Sequence, residues 1–161
     1  MQFISESVID EVAETVGNLD GNIEDLLAEF KQNQPAILAY LTSEGFLVLT
    51  DSEKDYLLYL ALVIWKSIEA VESINLEITQ KQIAEKEEDN WEKLNNVVSK
   101  HFRERLNVFF EGTEQEDLLA FVEDSLTMEE EDDSDLNLSK EGRDPIFIAL
   151  KTVIDCLTMP H

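Results

Sequence analysis

Histidine, the side chain that most often serves as acid, base or metal ligand near neutral pH, occurs twice in this chain, at His101 and His161. His101 stands among Lys100, Arg103 and Arg105, one helical turn from Glu104, and neither histidine belongs to a nucleophile motif such as GxSxG. A surface histidine on a polar helix face is therefore expected, with no catalytic residue. The one cysteine, Cys156, can form neither an internal disulfide nor a thiolate metal site. Its apolar surroundings predict a small core residue.

Carboxylates are the abundant reactive group: 36 Asp and Glu against 12 Lys and Arg, for a formal charge of -24. Di-metal sites in helical bundles use a Glu followed three residues later by a His on two helices, and neither histidine here has that Glu. The Glu residues fall mostly opposite the apolar stripes, so solvated faces are expected in place of a metal site. One segment has oxygen ligands at calcium-like spacing. Asp133, Asp135, Asn137, Ser139, Glu141 and Asp144 occupy positions 1, 3, 5, 7, 9 and 12 of an EF-hand register. The register then fails, with Leu138 where the sharp turn requires Gly and Asp144 where a bidentate Glu closes the site. No GxGxxG, P-loop, HExxH or CxxC pattern is present, so no cofactor and no metal are expected.

Charge excludes whole classes of function. A nucleic-acid backbone meets repulsion and too few Lys and Arg to displace its counterions, so direct nucleic-acid binding is not expected. Anionic membrane surfaces are disfavoured in the same way. The opening MQFISESVIDE has no basic n-region and no apolar h-region, which argues against a signal peptide and makes a cytoplasmic location the default. The longest apolar stretch, Tyr56 to Trp65, is about half the length that crosses a bilayer.

Five Gly and three Pro are too few to punctuate an all-β chain, while 43% hydrophobic residues are enough for a core. The expected fold is all-α. One domain, residues 1–161, is predicted to hold about six to seven helices around a central hydrophobic helix at roughly 51–72. Residues 128–143 are read as an acidic, flexible loop before the last helix.

Local signals place the helices. Val8, Ile9, Val12, Ala13 and Val16 share one face of a first helix that Gly17 is expected to close in a left-handed cap. A second helix begins near Asp20 and ends before Pro35, and Pro35 opens the short helix PAILAYL, with Gly45 as its break. Phe46 to Leu49 is an apolar connector. Thr50 and Glu53 form a capping box ahead of the central helix. Alternating Ile74, Leu76 and Ile78 suggest an extended connector. Thr79 and Gln82 form a second capping box, with Ile78 and Ile83 as a hydrophobic staple. Trp91, Leu94, Val98, Phe102, Leu106 and Phe109 then make one stripe on one long helix or two shorter ones, with Glu85 to Asp89 as a solvated face or a break near Asn90. Gly112 ends it, Thr113 and Glu116 give a third capping box, and Asp144 with Pro145 is predicted to cap and open the last helix. The pentapeptide EDLLA, at 24–28 and 116–120, is too short to establish a repeat.

The charge is uneven. Residues 1–30 hold eight acids and residues 106–139 hold twelve, with no Lys or Arg in either block, whereas residues 81–105 hold six acids and six bases. Lys100 to Arg105 is expected to be held by intramolecular pairing. The leading expectation is a non-enzymatic, acidic interaction or regulatory module that docks a basic protein surface, through Glu129, Glu130, Glu131, Asp132, Asp133 and Asp135 above all. Two other readings stand beside it. One is a small-ligand-binding or enzymatic bundle with buried carboxylates and a pocket lined by Tyr56, Tyr59 or Trp65. The other is a nucleic-acid mimic that inhibits a DNA-binding protein. Oligomeric state is left open by the pattern.

Overall fold

Thr50 opens the central helix. In a computed structural model that describes residues 1–19, 23–99, 101–127 and 140–159, its hydroxyl accepts from the Glu53 amide at 3.2 Å, and the Glu53 carboxylate accepts from the Thr50 amide at 2.9 Å. The helix that follows, α4, spans Asp51–Val71 and buries Leu57, Ile68 and every residue from Leu60 to Trp65. A run that is apolar on all sides needs neighbours on all sides. These are α1 (Glu6–Gly17), α2 (Ile23–Asn33) and α9 (Lys140–Thr158).

The other elements are α3 (Pro35–Leu41), a 3-10 turn at Glu44–Phe46, α5 (Gln80–Asn95), α6 (Phe102–Arg105), α7 (Asn107–Glu111) and α8 (Glu116–Thr127). All regular structure among the described residues is helical, and the bundle is all-α as expected. Helix α5 packs along α9, α3 packs on α2 and α5, and α8 packs on α1 and α9. Aromatic side chains fill the joints. Trp65 lies against Phe30 with ring centroids 4.9 Å apart, and Phe147 meets Phe109 edge to face at 5.0 Å. No helix among the described residues is long and apolar enough to cross a membrane.

Boundaries set by local chemistry match the sequence. Pro35 is a first-turn residue of α3, and Thr79 and Gln82 form their capping box with Ile78 and Ile83 both buried behind it. Both copies of EDLLA begin a helix, where paired acids complement the positive end of the helix dipole.

Several boundaries differ. Gly17 lies inside α1, and the amide of Asn18, in an ordinary negative-φ conformation, satisfies the last carbonyls without a left-handed residue. Helix α3 stops at Leu41, ahead of Gly45, where the Thr42 hydroxyl bonds back to the Leu38 carbonyl at 2.9 Å. The stretch from Thr79 to Phe110 is divided into α5, α6 and α7. Asn90 is no break but a buried mid-helix residue, and Val98, past the end of α5, leaves the stripe and is 94% exposed. Thr113 accepts from the Gln115 amide at 3.0 Å in place of the expected capping box. Helix α9 already begins at Lys140, so the last part of the expected 128–143 loop is helical and Pro145 sits inside the helix. Asp144 is not its cap, because its carboxylate is taken by Arg105 at 2.8 Å.

Two glutamines stitch non-helical segments to the bundle. The Gln115 side-chain oxygen accepts from the Ile4 amide at 3.0 Å, and its nitrogen donates to the Gln2 carbonyl at 2.9 Å. Gln34 repeats the arrangement, accepting from the Ile78 amide at 2.9 Å and donating to the Leu76 carbonyl at 2.8 Å. Both side chains are buried. Because a buried peptide group without a partner bears its full desolvation cost, Gln115→Ala is expected to lower stability by about 1–3 kcal/mol in urea unfolding. Gln115→Glu should fare no better, since it sets a carboxylate against the Gln2 carbonyl. A loss within the roughly 0.5 kcal/mol of an ordinary surface change would refute this role for the amide.

Candidate functional site

Helices α5 and α9 carry polar side chains at one shared spacing. Lys86, Asn90 and Lys93 on α5 and Lys151, Asp155 and Thr158 on α9 each step by four and then three residues, which puts each trio on one helix face. The two faces meet in a cleft of about 580 Å3, whose wall is completed by the turn at Gly112–Gln115 and by Met159.

The floor of the cleft is a buried polar group. Lys151 and Asp155 form an ion pair one helical turn apart, with side chains only 8% and 13% exposed. The Asn90 amide donates to the Asp155 carboxylate at 3.1 Å and to the Thr152 hydroxyl at 3.2 Å. Burial pulls the Lys151 pKa below its ordinary value. Asp155 opposes that shift, whereas the charges of Lys93 and Lys86 add to it. On the neighbouring side the Tyr40 hydroxyl donates to Glu87, and burial, reinforced by Glu87, raises its pKa. The expected solvated face at Glu85 to Asp89 is thus interrupted by Glu87. Burial and the Asp155 charge push the Cys156 thiol up to about 12, so it is protonated at neutral pH and is a core residue, as its surroundings in the sequence implied.

A second region gathers acid. Helix α1 carries exposed Glu6, Asp10, Glu11 and Glu14, and α8 begins with Glu116 and Asp117. The two helices pack together, and the Asp117 carboxylate accepts from the Glu6 amide at 2.9 Å. The two acidic blocks of the sequence therefore adjoin in space, and neither α1 nor α8 contributes a Lys or Arg. At the far end of α8, Arg103 pairs with Glu123 at 2.5 Å and lies 3.7 Å from Asp124. With the Arg105 pair to Asp144, this places both arginines in the intramolecular pairing expected of them. Lys100 lies outside the described residues.

The expected partner residues Glu129, Glu130, Glu131, Asp132, Asp133 and Asp135 also lie outside the described residues, as do four positions of the calcium register, Asp133, Asp135, Asn137 and Ser139. Among the described residues no group of three or more His, Cys, Asp or Glu side chains is gathered as a metal ion would need. His101 is exposed, and Glu104 accepts from Ser99 at 2.7 Å. Tyr56, Tyr59 and Trp65 do not line the cleft. The Tyr56 hydroxyl donates to the Ser125 carbonyl at 2.8 Å and Tyr59 to the Ala13 carbonyl at 3.4 Å, while Trp65 is wholly buried against Phe30.

The lysine cleft is hidden in the sequence, where Lys86 and Lys93 merge into the stretch 81–105 of zero net charge. The matching four-then-three spacing on two separate helices is the signal that could have found it. Compared with protein families, curated proteins and solved structures, the chain matches none.

Proposed function

We propose that the protein is a non-enzymatic docking module whose acidic α1/α8 face engages a basic surface on another protein. The observation that supports this reading is the adjacency of α1 and α8, which brings together two acid blocks with no cation on either helix. Packed helices lie about 8–10 Å apart. Each facing pair of charges at that distance repels by about 0.4 kcal/mol in water, and the small repulsions add. A cationic partner relieves them, and the potential of the face also speeds encounter.

The test is binding of a lysine- and arginine-rich peptide, followed by fluorescence anisotropy at low and physiological salt. Asp10→Lys/Glu14→Lys on α1 is compared with Glu24→Lys/Asp25→Lys on α2, all four positions being exposed. The α1 variant is expected to lose about tenfold more affinity, with a shallower salt dependence. Equal losses from both variants would mean that binding follows total charge and that the α1/α8 face has no special role.

A further inference from the structure

The cleft between α5 and α9 has an unusual charge arrangement for so acidic a protein. Lys86, Lys93 and Lys151 converge on it, close enough for the first two to disfavour the charge on the third. Only Lys151 is neutralised, by Asp155. Among the described residues neither Lys86 nor Lys93 forms an ion pair, although Asp89, Glu92 and Glu114 also belong to the lining. Those three carboxylates are solvent-exposed, as is Lys93, while Lys86 is half-buried and Lys151 and Asn90 are buried at the floor.

We infer that the cleft is a binding site for a small organic anion, with a carboxylate or phosphate group held between Lys86 and Lys93 over the Lys151–Asp155 pair. The volume lies within the range of small-molecule sites, and two ammonium groups supply the charge-assisted hydrogen bonds that such a group needs. Exposed Asp89, Glu92 and Glu114 select against a long polyanion, whose remaining charges would run past them. A compact anion ends inside the cleft and avoids that repulsion. Charges farther than a Debye length, about 8 Å at physiological salt, are largely screened from the cleft, whose own lining carries three lysines and four carboxylates, so Lys86 and Lys93 must hold the anion by direct contact.

The full chain is titrated at physiological salt with inorganic phosphate, malonate and, as a control, chloride at matched ionic strength, following backbone amide shifts. Saturable shifts confined to residues 86–96, 112–115 and 151–159 are expected. Saturation by phosphate, by malonate or by both supports the assignment, and the pattern identifies the head group that the cleft prefers. Lys86→Gln/Lys93→Gln should weaken binding about tenfold with an unchanged thermal midpoint, while Lys31→Gln/Lys54→Gln should leave it intact. Shifts that match those of chloride, or an affinity indifferent to Lys86→Gln/Lys93→Gln, would overturn the assignment.

Discussion

Lys151→Met is expected to destabilise the fold by about 1–3 kcal/mol, because it leaves the partly buried Asp155 carboxylate with one neutral donor. In the native protein that carboxylate has the Lys151 ammonium and the Asn90 amide as partners. Removing the ammonium leaves only the amide, which cannot offset the desolvation of a full negative charge. The pair itself contributes little net stability, since bringing both charges out of water costs about what their attraction returns. Lys151→Met/Asp155→Asn is therefore expected to recover most of the loss, with the introduced side-chain amide oxygen still accepting from Asn90. Urea unfolding of wild type, both single variants and the double variant measures the coupling. If the double variant were as unstable as Lys151→Met, the unpaired charge would not be the cause.

Alkaline conditions should weaken the fold through Cys156 and then Tyr40. The thiol ionises near its ordinary 9.0 in the unfolded chain and near about 12 in the folded one. Below pH 9 both states hold the proton and the thiol adds no pH dependence. Between these values the unfolded chain has released a proton that the folded chain retains, so stability falls as pH rises. The slope is about 1.4 kcal/mol per pH unit for one fully displaced group, on the order of 4 kcal/mol over the whole interval. Tyr40, also raised, adds a loss in the same direction above its ordinary 10.0. Lys151 acts oppositely. Its lowered pKa lets the folded state release a proton that the unfolded state keeps up to about 10.5, and over that window stability rises with pH. Unfolding free energies of wild type and Cys156→Ala, measured from pH 8 to about pH 11, separate the thiol from the rest. The wild-type curve is expected to fall more steeply above pH 9, and parallel curves would exclude Cys156 as a source.

What was legible in the sequence was what neighbouring residues decide among themselves. Thr50 with Glu53 and Thr79 with Gln82 fix two helix starts because each pair satisfies its own backbone amides, whatever else is nearby. Pro35 likewise acts on its own turn. Where a distant side chain could intervene, the local signal failed. Asp144 had the composition of a helix cap, but Arg105, 39 residues away, takes its carboxylate. Asn90 resembled a helix break, but Thr152 and Asp155 satisfy its amide and hold it in the core. The candidate sites depend wholly on such pairings. The α1/α8 face requires that helices far apart in the sequence adjoin, and the lysine cleft requires that α5 lie along α9. Helical periodicity predicts which face of each helix is buried and does not say against which partner.

The two glutamine clamps imply an uneven pattern of hydrogen exchange. In a helix, a protected amide opens when a turn frays or the bundle unfolds. The Ile4 and Ile78 amides belong to non-helical segments, and the acceptor of each is a single side chain. Because Ile4 and Ile78 are themselves buried, their exchange reports the loss of a Gln115 or Gln34 hydrogen bond together with the release of one apolar side chain, a smaller opening than unfolding of the helical core. The segments at residues 2–4 and 76–78 can in this way detach as small cooperative units while α4 and α9 stay closed, giving an all-helical protein two sites of local opening that resemble the release of an edge strand.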